Sequence, residues 1–110
     1  NSELVDQFLE EINRNPDGQP NIAAIARKLG ISRGRLHTRI REEAGMSPSD
    51  YAQRLRIKRC CQRLTTSDDS ITDIGYDFGF ASSQYFSRVF KKYLGATPSE
   101  YRKQMLTRGF

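Results

Sequence analysis

Metal ligands, disulfides and membrane-spanning runs are scarce in this sequence. It contains no Trp, a single His (His37) and two Cys, which stand side by side as Cys60 and Cys61. One imidazole and two neighbouring thiols cannot supply the four ligands of a structural zinc, and a disulfide between adjacent residues would be strained. No apolar run approaches the roughly 20 residues that cross a bilayer. The sequence therefore predicts a protein with no metal, no cofactor and no membrane span, located in a reducing cytoplasm.

The same scarcity argues against catalysis. His37 has no visible acid or nucleophile as a partner. Neighbouring residues of a helix point in different directions, so we expect one of Cys60 and Cys61 to be packed and the other to be partly exposed. We predict that the chain is not an enzyme. The alternative is a reactive thiolate at Cys60 or Cys61 that accepts an alkyl or redox group.

Positive charge is concentrated in the middle of the chain. The 110 residues carry a net charge of +5. Residues 1–26 hold five acidic residues and one basic residue, whereas residues 27–63 hold eleven basic residues and three acidic ones. A central basic segment favours a polyanionic partner, above all nucleic acid. A basic surface that is merely solvated is the alternative.

Apolar residues recur at helical spacing almost throughout, and capping residues interrupt the pattern. A first helix is predicted to end within residues 15–18. Asn21 is expected to cap a second helix, Ser32 a third, and Ser70 a helix in the second half of the chain. The pattern therefore predicts an all-α protein.

A seven-residue phrase occurs twice in the chain. Residues 45–51 read GMSPSDY and residues 95–101 read GATPSEY. In each, glycine can end one helix, Ser or Thr can cap the next, and proline suits its first position. The acidic residue stands where a capping box needs it. Each phrase is therefore predicted to end one helix and to start another.

The similarity extends backwards from both phrases. Residues 22–31 match residues 71–80, and each repeated unit is a short helix, a glycine turn and a longer helix. This is the helix-turn-helix arrangement. Two such units in a basic chain indicate DNA binding, and a helical protein-interaction module is the alternative.

The second helix of each unit is expected to enter the major groove with its N-terminal residues first. Apolar residues mark the buried faces of helices 32–44 and 82–94, so the polar residues opposite are candidates for contact with DNA. Side chains suited to base edges are Arg33, His37, Thr38, Ser83, Gln84, Ser87 and Arg88. Positions suited to the DNA backbone are Ser32, Arg35, Arg39, Arg41, Ser82, Lys91 and Lys92.

A long helix, residues 48–65, is predicted between the two units. It would span roughly 27 Å, which with the width of the flanking units can hold two recognition helices one turn of DNA apart. Its basic residues are expected on the outer faces, where they could meet the intervening DNA backbone. They are Arg54, Arg56, Lys58, Arg59 and Arg63.

These residues resemble a known family, the AraC/XylS-type bacterial transcription regulators, in their DNA-binding domain. The resemblance is carried by residues 71–80, 82–92 and 95–102, and residues 55–59 look like the family's linker helix. It implies seven helices and binding to double-stranded promoter DNA. It also implies activation through contact with RNA polymerase, and an N-terminal sensor or dimerisation domain that is absent from this chain.

We therefore expect an all-α fold of about seven helices, with two helix-turn-helix lobes joined by a long linker helix. Within a single DNA-binding domain, residues 1–110, the expected first lobe is 3–46, the linker helix 47–66 and the second lobe 70–108. The expected function is sequence-specific DNA binding in a bacterial transcription regulator. Two recognition helices would enter successive major-groove segments of promoter DNA.

Overall fold

Seven helices form the described part of the chain, which is residues 3–14 and 20–108 of a computed structural model. They are α1 (Glu3–Asn13), α2 (Ile22–Lys28), α3 (Arg33–Ala44), α4 (Pro48–Thr66), α5 (Ile71–Asp77), α6 (Ser83–Leu94) and α7 (Pro98–Arg108). These ranges contain no strand, so the all-α fold with about seven helices is confirmed. The predicted end of the first helix, at residues 15–18, lies outside the described residues.

Outside the two repeated phrases, polar side chains cap four helices. Each accepts a hydrogen bond of 3.0–3.1 Å from the backbone N–H three residues further on. Such a bond satisfies one of the donors that the first turn of a helix leaves unpaired. The capping residues are Asn21 for α2, Ser32 for α3, Ser70 for α5 and Ser82 for α6.

The two repeated phrases form the same helix junction. Gly45 ends α3 with φ of 76° and Gly95 ends α6 with φ of 75°, in the left-handed region where a Cβ would be strained. Thr97 and Glu100 then form a complete capping box at the start of α7. The Thr97 N–H donates to Glu100 Oε1 at 2.8 Å, and the Glu100 N–H donates to Thr97 Oγ1 at 3.2 Å.

The chain divides into two compact units, Asn1–Gln53 (unit 1) and Arg54–Phe110 (unit 2). In unit 1, both α1 and α2 pack against α3. The buried core residues of unit 1 are Phe8, Ile12, Ile25, Ala26, Leu36, Ile40 and Ala52. Burial of this apolar face is what holds short helices such as α2, since seven residues are too few for a stable isolated helix.

Unit 2 packs its helix-turn-helix pair, α5 and α6, on the later part of α4 and on α7. Its core is richer in aromatic rings than that of unit 1. Phe86 of α6 lies 4.8 Å from the Phe80 ring and 5.8 Å from the Phe90 ring, centroid to centroid. The buried core residues are Ile57, Cys60, Leu64, Ile74, Phe78, Phe80, Phe86, Val89 and Phe90.

One prediction about the long helix is wrong. Arg56 was assigned to an outer face of α4, but it is only 2% exposed and belongs to the interior of unit 2. Arg56 shares a face of α4 with the buried Cys60 and Leu64, which follow it by four and eight residues. Arg54 and Lys58 are exposed, as expected.

The adjacent thiols follow the prediction. Cys60 is buried and Cys61 is half-buried, and both are free. Burial raises the pKa of Cys60 to about 12 and also raises the pKa of Cys61. A thiol whose thiolate is disfavoured in this way is a poor nucleophile, so the geometry gives no support to the alternative of a reactive cysteine.

Candidate nucleic-acid interface

In unit 1, α3 is amphipathic in the way a groove-binding helix needs. Leu36 and Ile40 are fully buried against α1 and α2. The candidate residues of the opposite face are exposed, and so is the phosphate candidate Arg35. These exposed residues are Arg33, Gly34, Arg35, His37, Thr38 and Arg41. The burial of one face therefore fixes which side chains of α3 can reach a partner.

One hydroxyl group on this face already makes a hydrogen bond within the helix. Thr38 Oγ1 donates a hydrogen bond of 3.1 Å to the Gly34 carbonyl, one turn earlier. Thr38 itself is exposed. In contact with a base, Thr38 would therefore offer an acceptor or an apolar methyl rather than a donor.

The two arginines on the flank of α3 lie in one shallow depression with its N-terminus. Its lining includes Leu4 of α1, the cap Ser32, Arg35 and Arg39. Arg39 is half-buried and pairs with Glu43 of the next turn at 3.6 Å. A depression that joins two guanidinium groups to a helix N-terminus suits a phosphate.

In unit 2, α6 repeats this arrangement with a different set of side chains. Phe86, Val89 and Phe90 form its buried face. The candidates Gln84, Arg88, Lys91 and Lys92 are exposed, whereas Ser82, Ser83 and Ser87 are half-buried. The two helices therefore present different chemistries: arginine and histidine on α3, glutamine, serine and arginine on α6.

Two of the half-buried serines have partners within unit 2. The Ser82 hydroxyl accepts from the Tyr85 N–H at 3.0 Å as the N-cap of α6. The Thr72 hydroxyl of α5 donates to Ser83 Oγ at 3.5 Å, which ties the first turn of α6 to the preceding helix. Tyr85 itself is 38% exposed beside Gln84. Sequence reasoning did not include this exposed aromatic side chain among the candidates for contact with DNA.

The distribution of acidic residues distinguishes α3 and α6 from most other helices. The first turns of α1, α4, α5 and α7 each contain an acidic residue. The first turns of α3 and α6 contain none. A helix N-terminus carries partial positive charge, which a first-turn carboxylate would offset. The N-termini of α3 and α6 therefore keep their attraction for an anion.

Among the described residues, no group of three or more His, Cys, Asp and Glu side chains could hold a metal ion. No helix in the described ranges is long and apolar enough to cross a membrane. What these ranges do contain, in each unit, is a short helix, a turn and a helix with a polar, largely cationic outer face. This geometry defines a helix-turn-helix nucleic-acid-binding protein.

Comparison with known proteins gives the same result. A family model described as "Helix-turn-helix domain" matches residues 25–104. The crystal structure of an AraC-type transcriptional regulator from Chromobacterium violaceum superposes with a TM-score of 0.87 at 30% identity, covering 92% of this chain and 90% of that one. The chain belongs to the helix-turn-helix family of AraC-type DNA-binding domains.

Curated relatives are longer than this chain. The transcriptional activator RhaS of Pectobacterium carotovorum is 33% identical over 104 residues, which are 94% of this chain and 37% of RhaS. Histidine kinase P4 of Formosa agariphila is 36% identical over 86 residues, which are 78% of this chain and 6% of the kinase. The chain thus spans well under half the length of both relatives.

Proposed function

We propose that this chain reads bacterial promoter DNA with both units, with α3 and α6 each entering a major-groove segment. The observation that carries the proposal is the repeated geometry. Each unit presents a serine-capped helix with no acidic residue in its first turn. Exposed polar side chains lie on the outer face of that helix, opposite its buried apolar face. Bacterial promoters are in the cytoplasm, so we place the protein there.

On α6, base reading is assigned first to Gln84 and Arg88. They are exposed and lie one turn apart on the same face. Arginine can bind the O6 and N7 atoms of guanine in a bidentate manner, and glutamine can bind adenine in the same way. Ser83 and Ser87 are half-buried beside them and can complete the contact with their hydroxyl groups.

On α3, base reading is assigned to Arg33, His37 and Thr38. All three are exposed in the first half of the helix, which is the part that enters the groove in helix-turn-helix proteins. Arg33 and His37 lie four residues apart and so share a face. Thr38 would use its acceptor oxygen or its methyl group, since its hydrogen bonds Gly34.

Phosphate binding is assigned to the flanks and N-termini of the same two helices. These contacts give affinity and register, and they carry no sequence information directly. The residues are Ser32, Arg35, Arg39, Arg41, Ser82, Lys91 and Lys92. The functional division that we propose is a first lobe at 3–46, a linker helix at 47–66 and a second lobe at 70–108.

A selection from randomised double-stranded DNA tests this function. The wild-type chain should recover a site of about 15–20 base pairs with two separate segments of base preference. Arg88→Ala should relax preference at one base pair of one segment, by about 1–3 kcal/mol if the contact is bidentate. Lys103→Ala, which removes an exposed charge from α7, is the matched control and should leave every preference unchanged. Recovery of random sequence by the wild type would contradict the proposal.

For the complete protein we propose a transcription activator that contacts RNA polymerase and carries an N-terminal sensor or dimerisation domain. The support is the similarity to RhaS, which is a transcriptional activator by name and of which this chain matches 37%. In vitro transcription with purified RNA polymerase tests it. The full-length protein should raise transcript yield from a promoter that carries the selected site, and it should leave a promoter with a scrambled site unchanged.

A further inference from the structure

Arg56 is the one charged side chain that is buried in the described part of the chain. It lies on α4, within unit 2, and shares a face with Cys60 and Leu64. Removing a guanidinium group from water costs free energy unless the protein replaces its lost hydrogen bonds. A buried arginine in a core of this size therefore needs a specific set of partners.

Its partners belong to the turn between α5 and α6. Arg56 Nε donates a hydrogen bond of 2.7 Å to the carbonyl oxygen of Phe78, the residue that caps the C-terminus of α5. The guanidinium carbon lies 3.8 Å from the centroid of the Phe80 ring, two residues further on. Arg56 therefore contacts the turn on both sides of Gly79, once through the backbone and once through a ring.

The same turn positions the start of α6. The Phe80 ring lies 4.8 Å from the ring of Phe86 and 6.0 Å from that of Tyr85, both on α6. A shift of Phe80 would therefore be passed to the first two turns of α6, where the base-reading candidates Gln84 and Arg88 lie.

Unit 1 holds its turn without such an arginine. Its corresponding turn has Leu29 and Ile31, both half-buried, in place of Phe78 and Phe80. No arginine is buried among the described residues of unit 1. Reading by α3 is therefore an internal control for any effect of Arg56.

We propose that Arg56 is a positioning residue for DNA recognition, which fixes the α5–α6 turn from the linker helix α4 and thereby sets how α6 meets its base pairs. Arg56 touches no base in this arrangement. It acts through the Phe78 carbonyl and the Phe80 ring. The inference deepens the proposed function and rests on it, because it assigns discrimination at the α6 segment to a residue outside the interface.

Two substitutions separate the components of this role. Arg56→Met keeps an unbranched apolar stem of similar reach but leaves the Phe78 carbonyl without its donor. Arg56→Lys keeps the charge and a donor but removes the planar group that lies against Phe80. Lys103→Met, on α7 of the same unit, removes one exposed charge and is the matched control.

The experiment is a randomised-DNA selection by each variant, at a temperature where circular dichroism shows more than about 99% of the protein to be folded. Arg88→Ala identifies the α6 segment of the site, and His37→Ala identifies the α3 segment. We expect Arg56→Met to reduce base discrimination in the α6 segment about tenfold and to leave the α3 segment unchanged. Arg56→Lys should show a smaller loss, and Lys103→Met should show none.

A merely structural role predicts a different pattern. It would lower the melting temperature and reduce binding to all sites in the same proportion, without changing the preferred bases. That result, or wild-type preferences in both Arg56 variants, would overturn the inference while leaving the proposed function intact. If Arg56→Met does not fold, the base preference of Arg56→Lys is the test. An unchanged preference, or an equal loss of binding at all sites, would then overturn the inference. Absence of any base preference in the wild type would instead overturn the proposed function, and this inference with it.

Discussion

Gly75 of α5 and Phe86 of α6 approach so closely that a Cβ on Gly75 would stand 2.8 Å from Phe86 Cδ2. Two more atoms of the same side chain would lie within 3.2 Å of that Cβ. Both residues are buried, and the Phe86 ring packs between the rings of Phe80 and Phe90. At the corresponding positions, unit 1 has Ala26, which is larger than glycine, and Leu36, which is smaller than phenylalanine.

Gly75→Ala should therefore destabilise unit 2, although alanine favours a helix. Overpacking of a well-filled core costs about 1–3 kcal/mol, and the better helix propensity of alanine offsets up to about 1 kcal/mol of this. We expect a net loss of roughly 1–2 kcal/mol in the free energy of unfolding, measured by urea denaturation. Gly34→Ala is the control, because a Cβ at Gly34 meets nothing within 4 Å. It should be neutral or slightly stabilising.

A double-mutant cycle sharpens this prediction. Gly75→Ala combined with Phe86→Leu reproduces the Ala26–Leu36 pair of unit 1, and the smaller side chain removes the clash. The double variant should lose less stability than the sum of the two single variants. Additive losses would show that the Gly75–Phe86 approach is not what limits the packing of α5 on α6.

The capping box of α7 should make the stability of the folded protein depend on pH in the acidic range. Hydrogen bonds from the Thr97 N–H and hydroxyl hold the pKa of Glu100 below its ordinary value. A depressed pKa in the folded state means that the ionised carboxylate contributes stability above the ordinary Glu range, and that this contribution is lost as pH falls through the folded pKa. Thermal melts between pH 3 and pH 7 should therefore show a weaker pH dependence for Glu100→Gln than for the wild type. Glu42→Gln, an exposed glutamate on α3, is the control and should follow the wild-type curve.

DNA affinity should fall steeply with salt, and single phosphate contacts should be visible in the slope. Each phosphate that a cation neutralises releases condensed counterions, so log K falls linearly with log salt concentration. Lys91→Ala should reduce the magnitude of the slope by about 1 and should leave base preference unchanged. Fluorescence anisotropy at several salt concentrations measures both quantities. The same slope for Lys91→Ala and for the wild type would remove Lys91 from the interface.

The two cysteines should react slowly in the folded protein. Burial raises the pKa of Cys60 to about 12, and burial also raises that of Cys61. Because the thiolate is the reactive form, we expect iodoacetamide at pH 8 to modify neither thiol quickly until urea unfolds the chain. Cys61→Ser should leave Cys60 as the single protected thiol. Rapid modification of native Cys61→Ser would show that Cys60 is not buried in solution.

The helix boundaries follow from local chemistry, which is why the sequence predicts them. Ser32 and Ser82 cap their helices through bonds to residues three positions away, and Gly45 and Gly95 end helices through their own φ angles. None of these features needs a distant part of the chain. The faces of α3 and α6 are predictable for a related reason. Apolar residues at helical spacing define the buried side, and the exposed candidates lie opposite.

By itself, then, the amino-acid sequence determined the seven helices, the two helix-turn-helix units and the polar faces of α3 and α6. Only the tertiary structure decided which charged residue of α4 is buried, which cysteine is covered and how closely α5 approaches α6. Arg56 shows the reason. Its burial depends on the Phe78 carbonyl and the Phe80 ring, which lie more than twenty residues away and become neighbours only when unit 2 packs. Local sequence patterns indicate hydrogen bonds that form within one helical turn, whereas side-chain burial depends on contacts between distant segments of the chain.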